Sequence, residues 1–95
     1  MERRERTAEA IGRRLRATRK ALDLKQGPFL ALCDIAQNTY SQWETGARRP
    51  SVDEAARLCD AHKLTLDWIY LGDASGLPLK ITSKLPRSML IADDT

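Results

Sequence analysis

Apolar and small residues return at intervals of four, three and four along two separate stretches of this chain. The first is Ile11, Leu15, Thr18 and Leu22; the second is Ala36, Tyr40, Trp43 and Ala47. That interval follows the 3.6-residue turn of an α-helix and defeats the two-residue alternation of a strand. The stretches are divided by short breaks containing Asp, Gly and Pro, so the helices are joined by tight connections. A chain of 95 residues built this way is predicted to fold as an all-α domain with a modest core.

Five helices are predicted. The first runs from about Thr7 to Leu22 and ends at Asp23. Arg13, Arg14, Arg16 and Lys20 occupy its other faces, and Glu9 suits its positive N-terminal end. The second covers Gln26 to Cys33, with Pro28 tolerated in the first turn and Phe29, Leu30, Leu32 and Cys33 forming an apolar surface. Asp34 takes the following turn, as a residue that visits left-handed backbone readily. The third spans Ala36 to Thr45 and stops at Gly46. Ser51-Val52-Asp53-Glu54 is a capping box that starts the fourth, which carries Val52, Ala55, Ala56, Leu58 and Cys59 and runs to about His62. Thr65 caps the fifth, with Leu66, Trp68, Ile69 and Leu71 before Gly72. Residues 74–95 form a tail in which Leu77, Leu79 and Ile81 alternate with Pro78 and Lys80, a pattern that permits a short strand.

Charge is unevenly placed. Net charge is +3, yet residues 1–22 hold eight basic against three acidic side chains, and residues 51–73 hold two against five. Such polarity suits a polyanion on one face. The first six residues, Met-Glu-Arg-Arg-Glu-Arg, are not a secretory signal, and the chain has no run of about 18 apolar residues that would span a membrane. A cytoplasmic protein is expected. Cys33 and Cys59 fall on apolar helix positions, as buried thiols do, and with a single histidine no set of metal ligands assembles. His62 is expected as an exposed helix-end residue. No cofactor is implied. An enzyme finds little support: there is no phosphate-cradling Gly-rich loop with Lys-Ser/Thr and no nucleophile–base pair.

The third helix is the informative one. Opposite its apolar stripe stand Gln37, Asn38, Ser41, Gln42 and Thr45, with no charge among them. A merely solvated face favours Glu, Lys and Arg, which promote helix and solubility together. Compact amides and hydroxyls carry paired donors and acceptors, the equipment for reading base edges in the major groove. Arg48-Arg49-Pro50 follows as a basic loop.

The set of residues resembles the Cro/CI-repressor-type (XRE-like) helix-turn-helix family over roughly Ile11 to Asp73. The family's arginine late in helix 1 is met by Arg19, its glutamine opening helix 2 by Gln26, and the apolar residue three positions on by Phe29. Ile35 follows the turn, Tyr40 points inward, and Trp43, Glu44 and Gly46 close helix 3; Pro50 precedes helix 4, and Leu66-Asp67-Trp68 to Leu71-Gly72-Asp73 matches the ending. The sequence departs from the pattern at Leu30, where alanine is usual, at Asp34, where glycine is usual, and at Gly27-Pro28.

The resemblance implies a five-helix, lambda-repressor-like DNA-binding domain over residues 7–73, with residues 74–95 as a dimerisation or partner-binding tail. It implies a sequence-specific regulator of transcription, a repressor, that binds double-stranded DNA at an inverted repeat. Gln37, Asn38 and Gln42 are then base-reading residues, with Thr39 and Ser41 beside them in the groove. Gln26, Thr45, Arg48 and Arg49 are phosphate contacts, with Arg14 and Arg16 as outer electrostatic contributors. Arg19 and Glu44 form a structural ion pair. Trp68, Ile69, Tyr70, Leu71, Leu77, Leu79 and Ile81 are more apolar material than five helices are expected to bury, which points to a homodimer. The alternative is a DNA-binding antitoxin or adaptor that uses Leu77, Leu79, Ile81, Leu85, Leu90 and Ile91 to hold a protein partner. A single-stranded RNA binder is disfavoured, because no aromatic residue stands on the polar face.

Overall fold

Helix α1, Ala8–Ala21, begins where the Thr7 hydroxyl accepts the Ala10 N–H at 3.1 Å. Ile11, Leu15 and Thr18 are buried along it as their spacing predicts, and the chain leaves it through Asp23 at φ 58. The computed structural model describes residues 6–90, and seven helices and no strand form among them. Arg3, Arg4 and Ile91 lie outside the described residues.

Helix α2, Gln26–Leu30, is shorter than predicted. The Cys33 N–H closes on the Leu30 carbonyl at 3.0 Å, a tighter turn than the α-helix makes, and Leu32 enters left-handed backbone at φ 70. This change of pitch returns Cys33 to the core and throws Leu32 fully into solvent, so Leu32 is not part of the apolar surface assigned to it. Asp34 takes the expected left-handed position, with Arg57 donating to its carbonyl at 3.1 Å.

Helix α3, Gln37–Glu44, buries Tyr40 and Trp43. Ala36 and Ala47, expected to extend that stripe, are exposed: one lies before the helix in extended backbone, the other beyond Gly46, whose φ of 83 breaks the period. Helix α4, Val52–His62, starts at Ser51, whose Oγ accepts the Glu54 N–H at 3.2 Å and donates to Glu54 Oε1 at 2.8 Å. Ala55 and Leu58 face inward, while Val52 is exposed. His62 is not the exposed end residue expected. Its ring stacks on Phe29 with centroids 4.4 Å apart, and Nε2 lies 2.7 Å from the Phe29 carbonyl, to which it donates.

Helix α5, Asp67–Leu71, is a wide turn with Thr65 Oγ1 accepting the Trp68 N–H at 2.9 Å. Its pitch turns Trp68 and Ile69 inward together, both fully buried. Trp68 Nε1 donates to Thr18 Oγ1 at 2.8 Å, and the Arg14 guanidinium donates to the Ile69 carbonyl through Nε at 3.2 Å and Nη2 at 2.8 Å. Arg14 is therefore buried, not an outer electrostatic contributor. A carbonyl near the end of a short helix has no intrahelical donor, and Arg14 supplies one.

The tail forms no strand. Helices α6, Leu79–Thr82, and α7, Arg87–Leu90, take its place. Leu77, Ile81 and Leu85 recur every four residues and join the same core as Leu15 and Trp68. The expected surplus of apolar material is thus largely buried within one chain, and among the described residues Leu79 and Leu90 are the large apolar side chains that the tail leaves exposed.

One close approach sets the spacing of α1 and α3. A Cβ on Gly12 would lie 2.4 Å from the Trp43 carbonyl oxygen and 2.7 Å from that of Glu44. Helices α1 and α3 therefore touch backbone to backbone. Gly12→Ala, which gains about 1 kcal/mol in helix propensity, is expected to lower the melting temperature, because two carbonyls and not a flexible side chain must give way. Ile81→Ala is expected to cost about 2–5 kcal/mol in urea unfolding, as for a fully buried aliphatic residue. A loss below about 0.5 kcal/mol would show that the tail is not part of the core.

Candidate nucleic-acid interface

Arg19, late in α1, reaches the end of α3. Its Nε donates to Glu44 Oε2 at 2.7 Å and its Nη2 to Glu44 Oε1 at 3.1 Å, while Nη1 donates to the Leu24 carbonyl at 2.9 Å. The pair is bidentate and largely shielded, with side-chain exposures of 13% and 6%. The Tyr40 hydroxyl also donates to Glu44 Oε2. Burial alone pushes the Glu44 carboxyl up, but the hydrogen bonds from Arg19 and Tyr40 outweigh it and hold the group below the ordinary carboxylate range. Burial and the neighbouring carboxylate hold the Tyr40 phenol well above its usual value, so it serves as a donor.

The same carboxylate orients Gln26. Its Nε2 donates to Glu44 Oε1 at 3.3 Å, which turns Oε1 toward α3 to accept from Ser41 Oγ at 2.8 Å and Gln37 Nε2 at 3.3 Å. The start of α2 is thereby tied to one side of α3. Gln37, Asn38 and Gln42 are exposed on α3, and Thr39 and Ser41 are half-buried. Ser41 spends its hydroxyl on Gln26, and Gln26 is engaged by three protein groups, so both are already tied within the protein.

At the far end of α3, Thr45 Oγ1 donates to the Gln42 carbonyl at 3.2 Å, and the Ala47 and Arg48 N–H groups close on the same oxygen at 2.9 and 3.2 Å. Arg48 and Arg49 are exposed in the loop that follows. The Arg49 guanidinium donates to the Arg6 carbonyl, and the Tyr70 hydroxyl to the Pro50 carbonyl at 2.8 Å. Arg13, Arg16 and Lys20 are exposed on α1, apart from buried Arg14.

The structure thus gathers Gln26, Gln37 and Ser41 at the start of α3, and Thr45, Arg48 and Arg49 beyond its end. Gly12 and Tyr70 belong to this framework; the sequence singles out no role for Gly12, and Tyr70 is expected there only as apolar material for a dimer. A glycine inside a helix costs about 1 kcal/mol relative to alanine, and that cost was the available signal for Gly12. Nothing in the spacing of Tyr70 points to the loop it holds.

The pair has a signed pH dependence. The folded Glu44 carboxyl titrates below its unfolded value, so its stabilisation is present above the ordinary carboxylate range and is lost as pH falls through the lowered folded value. Urea unfolding followed from neutral pH to about pH 2 is expected to show this acid loss, and Glu44→Gln should reduce it. Glu44→Ala, which strands Arg19, is expected to cost about 3–5 kcal/mol at neutral pH.

Among the described residues no group of three His, Cys, Asp or Glu side chains comes together to hold a metal, and no helix is long and apolar enough to cross a membrane. No curated protein and no solved structure gives a match. A family model described as a helix-turn-helix domain matches residues 10–67, which takes in α2, its turn and α3. The match covers more than half of the sequence, and the chain belongs to that DNA-binding helix-turn-helix family.

Proposed function

We propose that the chain is a sequence-specific regulator of transcription, acting as a repressor, that lays α3 in the major groove of double-stranded DNA. The observation that carries this reading is the pairing of two faces on one short helix. Tyr40 and Trp43 lock the inner face into the core, while Gln37, Asn38 and Gln42 stand exposed and uncharged on the outer one. In this reading Gln37, Asn38 and Gln42 read base edges, and Thr39 and Ser41 flank them. Gln26 offers its second amide N–H to phosphate, an amide nitrogen having two donors. Thr45, Arg48 and Arg49 hold phosphates at the other end of α3 and fix register without reading sequence.

A single recognition helix spans few base pairs, and two-fold pairing extends the contact set. A homodimer on an inverted repeat, with half-sites about 34–36 Å apart, remains our proposal. The apolar surface for it is narrower than the sequence offered: Leu66, Leu71, Leu79 and Leu90 stay exposed, while Leu77, Ile81 and Leu85 are spent on the core. That same burial takes Leu77, Ile81 and Leu85 out of the surface an adaptor would offer a protein partner and leaves it Leu79 and Leu90.

Duplexes selected from a random pool provide the test. Gln37→Ala or Asn38→Ala is expected to cost about 1–3 kcal/mol on the selected site and to leave random-duplex binding nearly intact. Arg48→Ala with Arg49→Ala is expected to weaken binding to both, lowering the log–log salt slope by about one unit per lost contact. Selection that enriches no sequence would overturn the reading, and so would α3 variants that leave site preference unchanged.

A further inference from the structure

The loop carrying Arg48 and Arg49 is held at both ends by unrelated parts of the fold. At its near end the Ala47 and Arg48 N–H groups share the Gln42 carbonyl at 2.9 and 3.2 Å. At its far end the Tyr70 hydroxyl donates to the Pro50 carbonyl at 2.8 Å, and Pro50 is buried beside the Ser51 cap of α4. The two arginines lie between these anchors. Tyr70 comes from α5, whose wide turn sends Trp68 and Ile69 into the core and leaves Tyr70 half-buried at the core's edge. Tyr70 is thus placed by the burial of its neighbours and holds the Pro50 end of the loop, while the Arg49 guanidinium within the loop donates to the Arg6 carbonyl.

We propose that Tyr70 is a positioning residue for DNA binding: its hydroxyl holds the loop so that Arg48 and Arg49 are set against the duplex backbone before DNA arrives. This rests on the reading of those arginines as phosphate contacts. Long basic side chains on an unanchored loop lose backbone as well as rotamer freedom on binding. With Pro50 held, the backbone part of that loss falls on folding instead. The consequence is a residue that never meets DNA yet sets affinity for every duplex alike, with no effect on base preference.

Tyr70→Phe removes the hydroxyl and keeps the ring. Affinity for a random-sequence duplex, its salt slope, preference for a selected site over random DNA, and thermal melting are measured on the full chain, with binding read well below the melting temperature. Tyr70→Phe is expected to weaken binding to both duplexes about five-fold, the scale of one hydrogen bond, leaving their ratio unchanged. Placed on Arg48→Ala/Arg49→Ala, it is expected to weaken binding no further, because the groups it positions are gone. A merely structural role would leave the effects additive. Unchanged affinity in Tyr70→Phe, a changed ratio between the two duplexes, or full additivity overturns the proposal. If the arginine substitutions themselves leave duplex binding intact, the phosphate role of the loop falls and the positioning role with it. If they weaken it and Tyr70→Phe does not, the positioning role alone falls.

Discussion

The bidentate pair between Arg19 and Glu44 is the interaction on which the arrangement of α1, α2 and α3 depends. One carboxylate receives Arg19, the Tyr40 hydroxyl and the Gln26 amide, and Arg19 also donates to the Leu24 carbonyl ahead of α2. A shielded carboxylate is costly unless its lone pairs are filled, and here each oxygen is served by more than one donor. The pair therefore does more than hold helices together. By fixing which way the Gln26 amide points, it determines that Gln37 and Ser41 meet an oxygen and not a nitrogen.

That network requires α1 and α3 to be close, and Gly12 permits it. Where a larger residue would stand off the Trp43 and Glu44 carbonyls, glycine lets the two backbones meet. The cost is borne in the middle of a charged helix with otherwise strong helix formers. The placement of α3 is thus conditioned by a buried glycine on α1, one that presents nothing to solvent.

The opposite side of α1 is organised by a second polar network, within the core. Trp68 donates to Thr18, and Arg14 donates to the Ile69 carbonyl with its guanidinium over the Trp68 ring, 6.0 Å from the ring centroid. These contacts seat α5, and α5 in turn carries Tyr70 to the Pro50 carbonyl. Leu77, Ile81 and Leu85 complete the packing. Residues that sequence patterning treats as an appendage share one core with α1 through α5.

Sequence by itself determined the helical class, the starts at Thr7 and Ser51, the left-handed stops at Asp23 and Asp34, and the uncharged outer face of α3. These rest on interactions within a turn or two of chain, where period, caps and backbone preference act directly. The ion pair of Arg19 and Glu44 was legible only through family resemblance, because its partners lie 25 residues apart. Tertiary structure alone decided that Arg14 is buried, that Leu32 is expelled, that His62 stacks on Phe29 and that the tail is helical and internal. The spacing of Leu77, Ile81 and Leu85 was present in the chain, but the nearer alternation of Leu77, Leu79 and Ile81 matched a strand equally well. A strand needs an edge to pair with, and no strand forms among the described residues. Which of two local patterns prevails, and which charged side chain goes inward, depends on surfaces that exist only once the helices have met.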